Sequence, residues 1–160
     1  MSQDHKIPKL IFRYEGAFNF KGLYNTMVDY FKSRDYDYIE KGWKEKEGSP
    51  VGREITVKMI PEKKVSEYIK HEYAIEWKSV DAHTVTNEQG EELTHARFHL
   101  HVEAKIIEDW QNLNKKNSWI GNLYSKYVFK RELDVEYMSK LEDEIQGFLD
   151  EVKAYVGAKQ

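Results

Sequence analysis

Residues 93–109 read Leu-Thr-His-Ala-Arg-Phe-His-Leu-His-Val-Glu-Ala-Lys-Ile-Ile-Glu-Asp, and this stretch decides the fold. Ala96, Phe98, Leu100, Val102 and Ala104 fall on one side, and His95, Arg97, His99, His101, Glu103 and Lys105 on the other. A period of two held this long marks a β-strand with one dry and one wet face, as in an antiparallel sheet covered on one side. Just upstream, residues 65–80 alternate in the same way, with Ile69, His71, Tyr73, Ile75 and Trp77 opposed to Lys70, Glu72, Glu76 and Lys78. A shorter strand over residues 83–86 leads into the turn Asn87-Glu88-Gln89-Gly90.

Further toward the N-terminus, residues 36–46 read as a strand with Gly42 as a bulge, broken by Gly48-Ser49-Pro50-Val51-Gly52. Residues 53–60 form another, ending in a turn at Pro61-Glu62-Lys63-Lys64. The first strand covers residues 9–19, with Phe12, Tyr14, Gly16 and Phe18 on one face. Asn19 then caps a helix whose stripe is Phe20, Leu23, Tyr24, Met27, Tyr30 and Phe31, ending near Ser33.

Downstream of residue 117 the pattern is helical. Ile120, Tyr124, Tyr127, Arg131, Asp134, Met138, Leu141, Ile145, Phe148, Val152 and Tyr155 recur at alternating spacings of four and three. A helix over residues 118–156 would be about 58 Å long at 1.5 Å per residue. A 160-residue globule is only about 40 Å across, so the helix either bends near residues 131–134 or projects from the body. The whole chain, residues 1–160, thus reads as one α+β domain. Its order is strand, helix, four or five antiparallel strands, helix, with a curved sheet packed on one face by a long C-terminal helix.

Composition narrows the function. The 160 residues carry 28 acids and 25 bases, a net charge of −3, which argues against bulk attraction to nucleic acid. With no cysteine, disulfides, thiolate metal sites and cysteine nucleophiles are excluded. Met1-Ser2-Gln3-Asp4-His5-Lys6 lacks the apolar run of a signal peptide, and no stretch approaches a membrane span, so a cytoplasmic location is expected. The nine glycines build no phosphate-cradling loop, and no serine lies in a nucleophile elbow. The acids of Glu91-Glu92 and Asp143-Glu144 read as solvated, in a turn and on a helix surface. Enzymatic chemistry has no motif behind it, and no cofactor is expected.

Two histidine settings invite chemistry. His99 and His101 project from one strand face about 7 Å apart, a spacing that suits two zinc ligands with Glu103, His95 or His71 as a third; the alternative is a solvated face with no metal. His71 sits on the apolar face, either as a general base oriented by Glu15 or Glu40, or as a neutral core histidine bonded to a tyrosine hydroxyl. Tyr14, Tyr36, Tyr38, Tyr73 and Trp77 also point inward, giving either a ring-rich core or an apolar pocket with polar anchors.

The C-terminal helix segregates charge. Residues 115–131 carry five bases and no acid, whereas residues 132–151 carry eight acids and one lysine. That ordering opposes the helix dipole. Three readings follow: a stripe packed on the sheet, antiparallel self-association through Met138, Leu141, Ile145, Phe148 and Val152, or contact of Lys126, Lys130 and Arg131 with nucleic acid or an anionic membrane.

The element order over nearly the whole chain resembles that of the START-related and polyketide-cyclase-like helix-grip superfamily, in which a curved sheet wraps a long C-terminal helix. One departure is that those proteins usually carry two short helices after the first strand, where one is placed here. The resemblance implies a fold that often leaves an apolar cavity; with no catalytic motif in the chain, the reading is a non-enzymatic binding protein of this type that holds a hydrophobic or amphipathic ligand, with His71, Tyr73, Trp77, Phe98 and Tyr127 facing it. The alternative is an assembly protein that forms homo-oligomers through its C-terminal helix. More locally, residues 24–41 and 124–133 are similar to parts of small uncharacterised archaeal proteins, a group that implies no activity.

Overall fold

The computed structural model describes residues 3–50, 52–111 and 136–157. Its centre is the hairpin of β5 (Ile69–Thr86) and β6 (Glu92–Glu108). Asn87 shapes the turn between them: its Oδ1 accepts from the backbone N–H groups of Gln89 and Glu91 at 3.0 and 2.8 Å, and Gly90 takes φ 80°. Around it lie β1 (Gln3–Phe18), β2 (Glu40–Ser49), β3 (Gly52–Met59) and the short β4 (Glu62–Lys64). The sheet is antiparallel and open, in the order β1-β6-β5-β3-β2, with β4 paired to β5.

Three details differ from the sequence reading. Residues 69–86 form one strand, because a register shift between Val80 and His83 absorbs the break in alternation. Buried positions pass there from Ser79 to Ala82, with Asp81 at φ 54° inside the irregularity. Residues 61–64 are not a turn: Pro61 accepts from the Tyr73 N–H at 2.9 Å, and β4 continues along the β5 edge that β3 occupies. β1 begins earlier than expected, because a shift between Ile7 and Leu10 accommodates Pro8 and swaps the faces of the strand. The bulge expected at Gly42 coincides with a register shift between Glu40 and Gly42.

A single helix, α1 (Phe20–Lys32), separates β1 from β2, and Asn19 Oδ1 caps it by accepting from the Gly22 N–H at 2.9 Å. Among the described residues the next helix is α2 (Met138–Val156), which ends at Gly157, whose φ of 73° gives a left-handed cap. Its 19 residues span about 28 Å, which fits the body. Residues 118–135, including the expected bend at 131–134, lie outside the described residues.

Both helices pack on the inner face of the sheet. Leu141, Ile145, Phe148 and Val152 are buried there, with Phe148 against Tyr30 and Phe31 at ring distances of 5.5 and 5.0 Å. The outer face carries charge pairs such as Lys78–Glu54 at 3.1 Å and Lys58–Glu76 at 3.5 Å.

Candidate functional site: a tyrosine–carboxylate–histidine cluster

The inner face of β5 bears Ile69, His71, Tyr73, Ile75, Trp77 and Ser79, all buried. Two other segments bring polar side chains to its His71 end. After α1 the chain reverses through Asp35 at φ 63°, and the Tyr36 N–H donates to the Phe31 carbonyl at 3.0 Å. An isolated bridge between Asp37 and Glu62 pins the segment. The Tyr36 ring then lies 5.4 Å from that of Tyr73 and 5.5 Å from that of Phe31. From the opposite side, α2 supplies Glu144, which flanks the buried Leu141, Ile145 and Phe148.

Glu144 Oε1 accepts from both hydroxyls, Tyr36 at 2.5 Å and Tyr73 at 2.6 Å. Tyr30 donates to the Glu144 backbone carbonyl at 2.7 Å. That contact needs Gly147 one turn away, since a Cβ there would lie 2.7 Å from the Tyr30 hydroxyl. His71 Nδ1 lies 3.4 Å from Tyr36 Oη, and Tyr137 meets the imidazole edge-on at 6.3 Å.

Burial shapes the electrostatics of the tyrosines and the histidine. Burial first, then Glu144, pushes the Tyr36 hydroxyl far above the ordinary tyrosine range. Tyr73 is pushed higher still by burial, Tyr36 and Glu144. Both are permanent donors. Burial pulls His71 below its ordinary value, opposed by Glu144 and assisted by Lys63. Two phenol hydroxyls thus meet one Glu144 oxygen, beside an imidazole whose charged form burial disfavours.

His71 and Tyr73 thus meet in one cluster. Trp77 and Phe98 lie elsewhere on the same face, in an aromatic group: Trp77 stacks on Phe20 at 4.3 Å and meets Phe98 at 5.9 Å. Tyr127 lies outside the described residues, as do Lys126, Lys130 and Arg131. In the seam considered for self-association, Leu141, Ile145, Phe148 and Val152 are in the chain's own core, with Met138 partly buried against it.

The carboxylate beside His71 is neither of those expected. Glu15 is exposed on β1 opposite Arg97, and Glu40 accepts from Tyr24 at 2.5 Å. Glu144 fills the role through Tyr36, correcting its reading as a solvated surface acid. The signal was its position one residue before Ile145 and four before Phe148, at the border of the apolar stripe. His71 is buried with its Nδ1 3.4 Å from a tyrosine hydroxyl, and neither Glu15 nor Glu40 is beside it.

His99 and His101 stack at 6.4 Å on the outer face, opposite to His71, while His95 stacks on His83 at 5.2 Å and Glu103 lies 3.8 Å from Lys9. Among the described residues, no three His, Asp or Glu side chains are grouped to hold a metal ion. Nor is any helix among them long and apolar enough to cross a membrane.

Three buried side-chain atoms have no hydrogen-bond partner among the described residues: His71 Nε2, Trp77 Nε1 and Ser79 Oγ. All three lie on the inner face of β5. Compared with protein-family models and with curated proteins, the sequence matches none.

Proposed function

We propose that this chain is a non-enzymatic binding protein of helix-grip type, holding one hydrophobic or amphipathic small molecule on the inner face of its sheet. The observation that carries the reading is the set of three unpartnered buried polar atoms on β5. Each such atom costs about 1–3 kcal/mol. A domain has only about 5–15 kcal/mol of net stability, so three on one strand face is a heavy load. A ligand that supplies a complementary group to His71 offsets part of it, and the tyrosine–glutamate network beside His71 gives that ligand a preorganised polar neighbour. The seam of α2 adds support, since its apolar residues are used within the chain.

The test is a titration of the full chain with dodecane, 1-dodecanol, dodecanoate and dodecylamine, read by tryptophan emission, calorimetry and thermal midpoint. Saturable one-to-one binding of at least one compound is expected. At one hundred times its Kd, that ligand stabilises the fold by about 2.7 kcal/mol. Absence of both binding and a midpoint shift across the panel overturns the reading.

A further inference from the structure

Counting protons sets the direction of every hydrogen bond in the cluster. A tyrosine hydroxyl has one proton to give. Tyr36 gives its proton to Glu144 Oε1 at 2.5 Å, and Tyr73 does the same at 2.6 Å. Toward His71, then, Tyr36 Oη can only accept. The 3.4 Å contact therefore places the ring proton on Nδ1. Burial pulls His71 below its ordinary value and so favours the uncharged ring, and with the proton on Nδ1 the uncharged ring has a bare lone pair on Nε2. His71 is only 8% exposed, and Nε2 has no partner among the described residues. An acceptor in dry surroundings is satisfied only by a donor.

We propose that His71 Nε2 accepts the hydroxyl of a neutral amphipathic ligand, so that the site takes alcohols or phenols and rejects carboxylates. This deepens the binding reading above and rests on it. A carboxylate would set acceptor-only oxygens against an acceptor-only nitrogen, within the field of Glu144. An ether has the right shape but no proton to donate. An ammonium ion has protons, but Glu144 Oε1 is already taken by two hydroxyls, and Lys63 lies 5.7 Å from the Tyr36 ring. The ion would lose its water without gaining a free anion. The uncharged hydroxyl meets neither penalty.

The experiment compares 1-dodecanol with 1-methoxydodecane, dodecanoate and dodecylamine on the unmodified chain, then repeats the series on His71→Phe. The alcohol is expected to bind at least about tenfold more tightly than each of the others, because only it satisfies Nε2. In His71→Phe that preference should collapse to within about twofold while the alcohol still binds. Equal binding of alcohol and ether, or tighter binding of dodecanoate, overturns the proposal while the binding reading stands. The same holds if His71→Phe keeps the discrimination. Failure of the whole series and of dodecane on the unmodified chain overturns both. The comparison of alcohol with ether needs no variant, so the proposal stays falsifiable if His71→Phe does not fold.

Discussion

The two faces of β5 treat polar groups in opposite ways. On the outer face Lys70, Glu72, Glu76 and Lys78 all have partners: Lys70 reaches Glu62 at 2.6 Å, Lys105 reaches Glu72 at 3.5 Å, Lys58 reaches Glu76 and Lys78 reaches Glu54. On the inner face His71, Trp77 and Ser79 each leave an atom unpaired among the described residues. Pairing is complete for these outer-face charges, where water makes it worth little, and incomplete on the inner face, where it would be worth most. Stability therefore depends more on the inner face than on the outer.

Perturbations chosen to break this contrast fall in a definite order. Phe148→Ala removes the ring that joins α2 to Tyr30 and Phe31, and should cost about 3–5 kcal/mol in urea denaturation. Tyr73→Phe strips one donor from Glu144 and should cost about 1–2 kcal/mol. Combined with Tyr36→Phe it should be non-additive, since both hydroxyls serve one oxygen. Ser79→Ala should run the other way, raising the stability of the unliganded chain by about 1 kcal/mol because it deletes a buried hydroxyl without a partner; a loss of that size would show that the hydroxyl is satisfied in solution.

His71 sharpens the contrast through pH. In the unfolded chain it titrates near the ordinary value of about 6.5, whereas burial lowers it in the fold. Below about pH 6.5 the unfolded state binds more protons, so this contribution is complete above that value and is lost as pH falls toward the folded pKa. The difference in stability between the native chain and His71→Phe should change between about pH 7.5 and about pH 5, and a constant difference would mean that the imidazole is freely solvated. The smallest effect belongs to the outer face: Lys78→Ala should cost no more than about 1 kcal/mol, and less still in about 0.5 M salt.

How far the sequence discloses this molecule follows from the range of each signal. Alternation and capping are local, so the inner faces of β5 and β6 and the span of α1 are legible from residues two to four positions apart. The irregularities at Pro8 and Asp81 are harder, since a single extra residue moves later side chains to the other face, and the alternation then reads as a strand end. The polar cluster is harder again. Tyr36 lies 35 residues from His71 and 108 from Glu144, and no periodicity spans such separations. Glu144 looked solvated because an acid at the border of an apolar stripe can turn either way, and only the position of two tyrosines decides which.

The irregularity at Pro8 has one more effect. Among the described residues β1 pairs only with β6, so it leaves a 16-residue edge at one side of the sheet. A continuous edge of that length offers its free backbone groups to any other extended chain. Pro8 has no N–H to offer, the register shift between Ile7 and Leu10 interrupts the regular run, and the like-charged Lys6 and Lys9 flank it. The residue at which the faces of β1 reverse thus also breaks up the edge as a template for an added strand, and replacing Pro8 is expected to raise the tendency to aggregate.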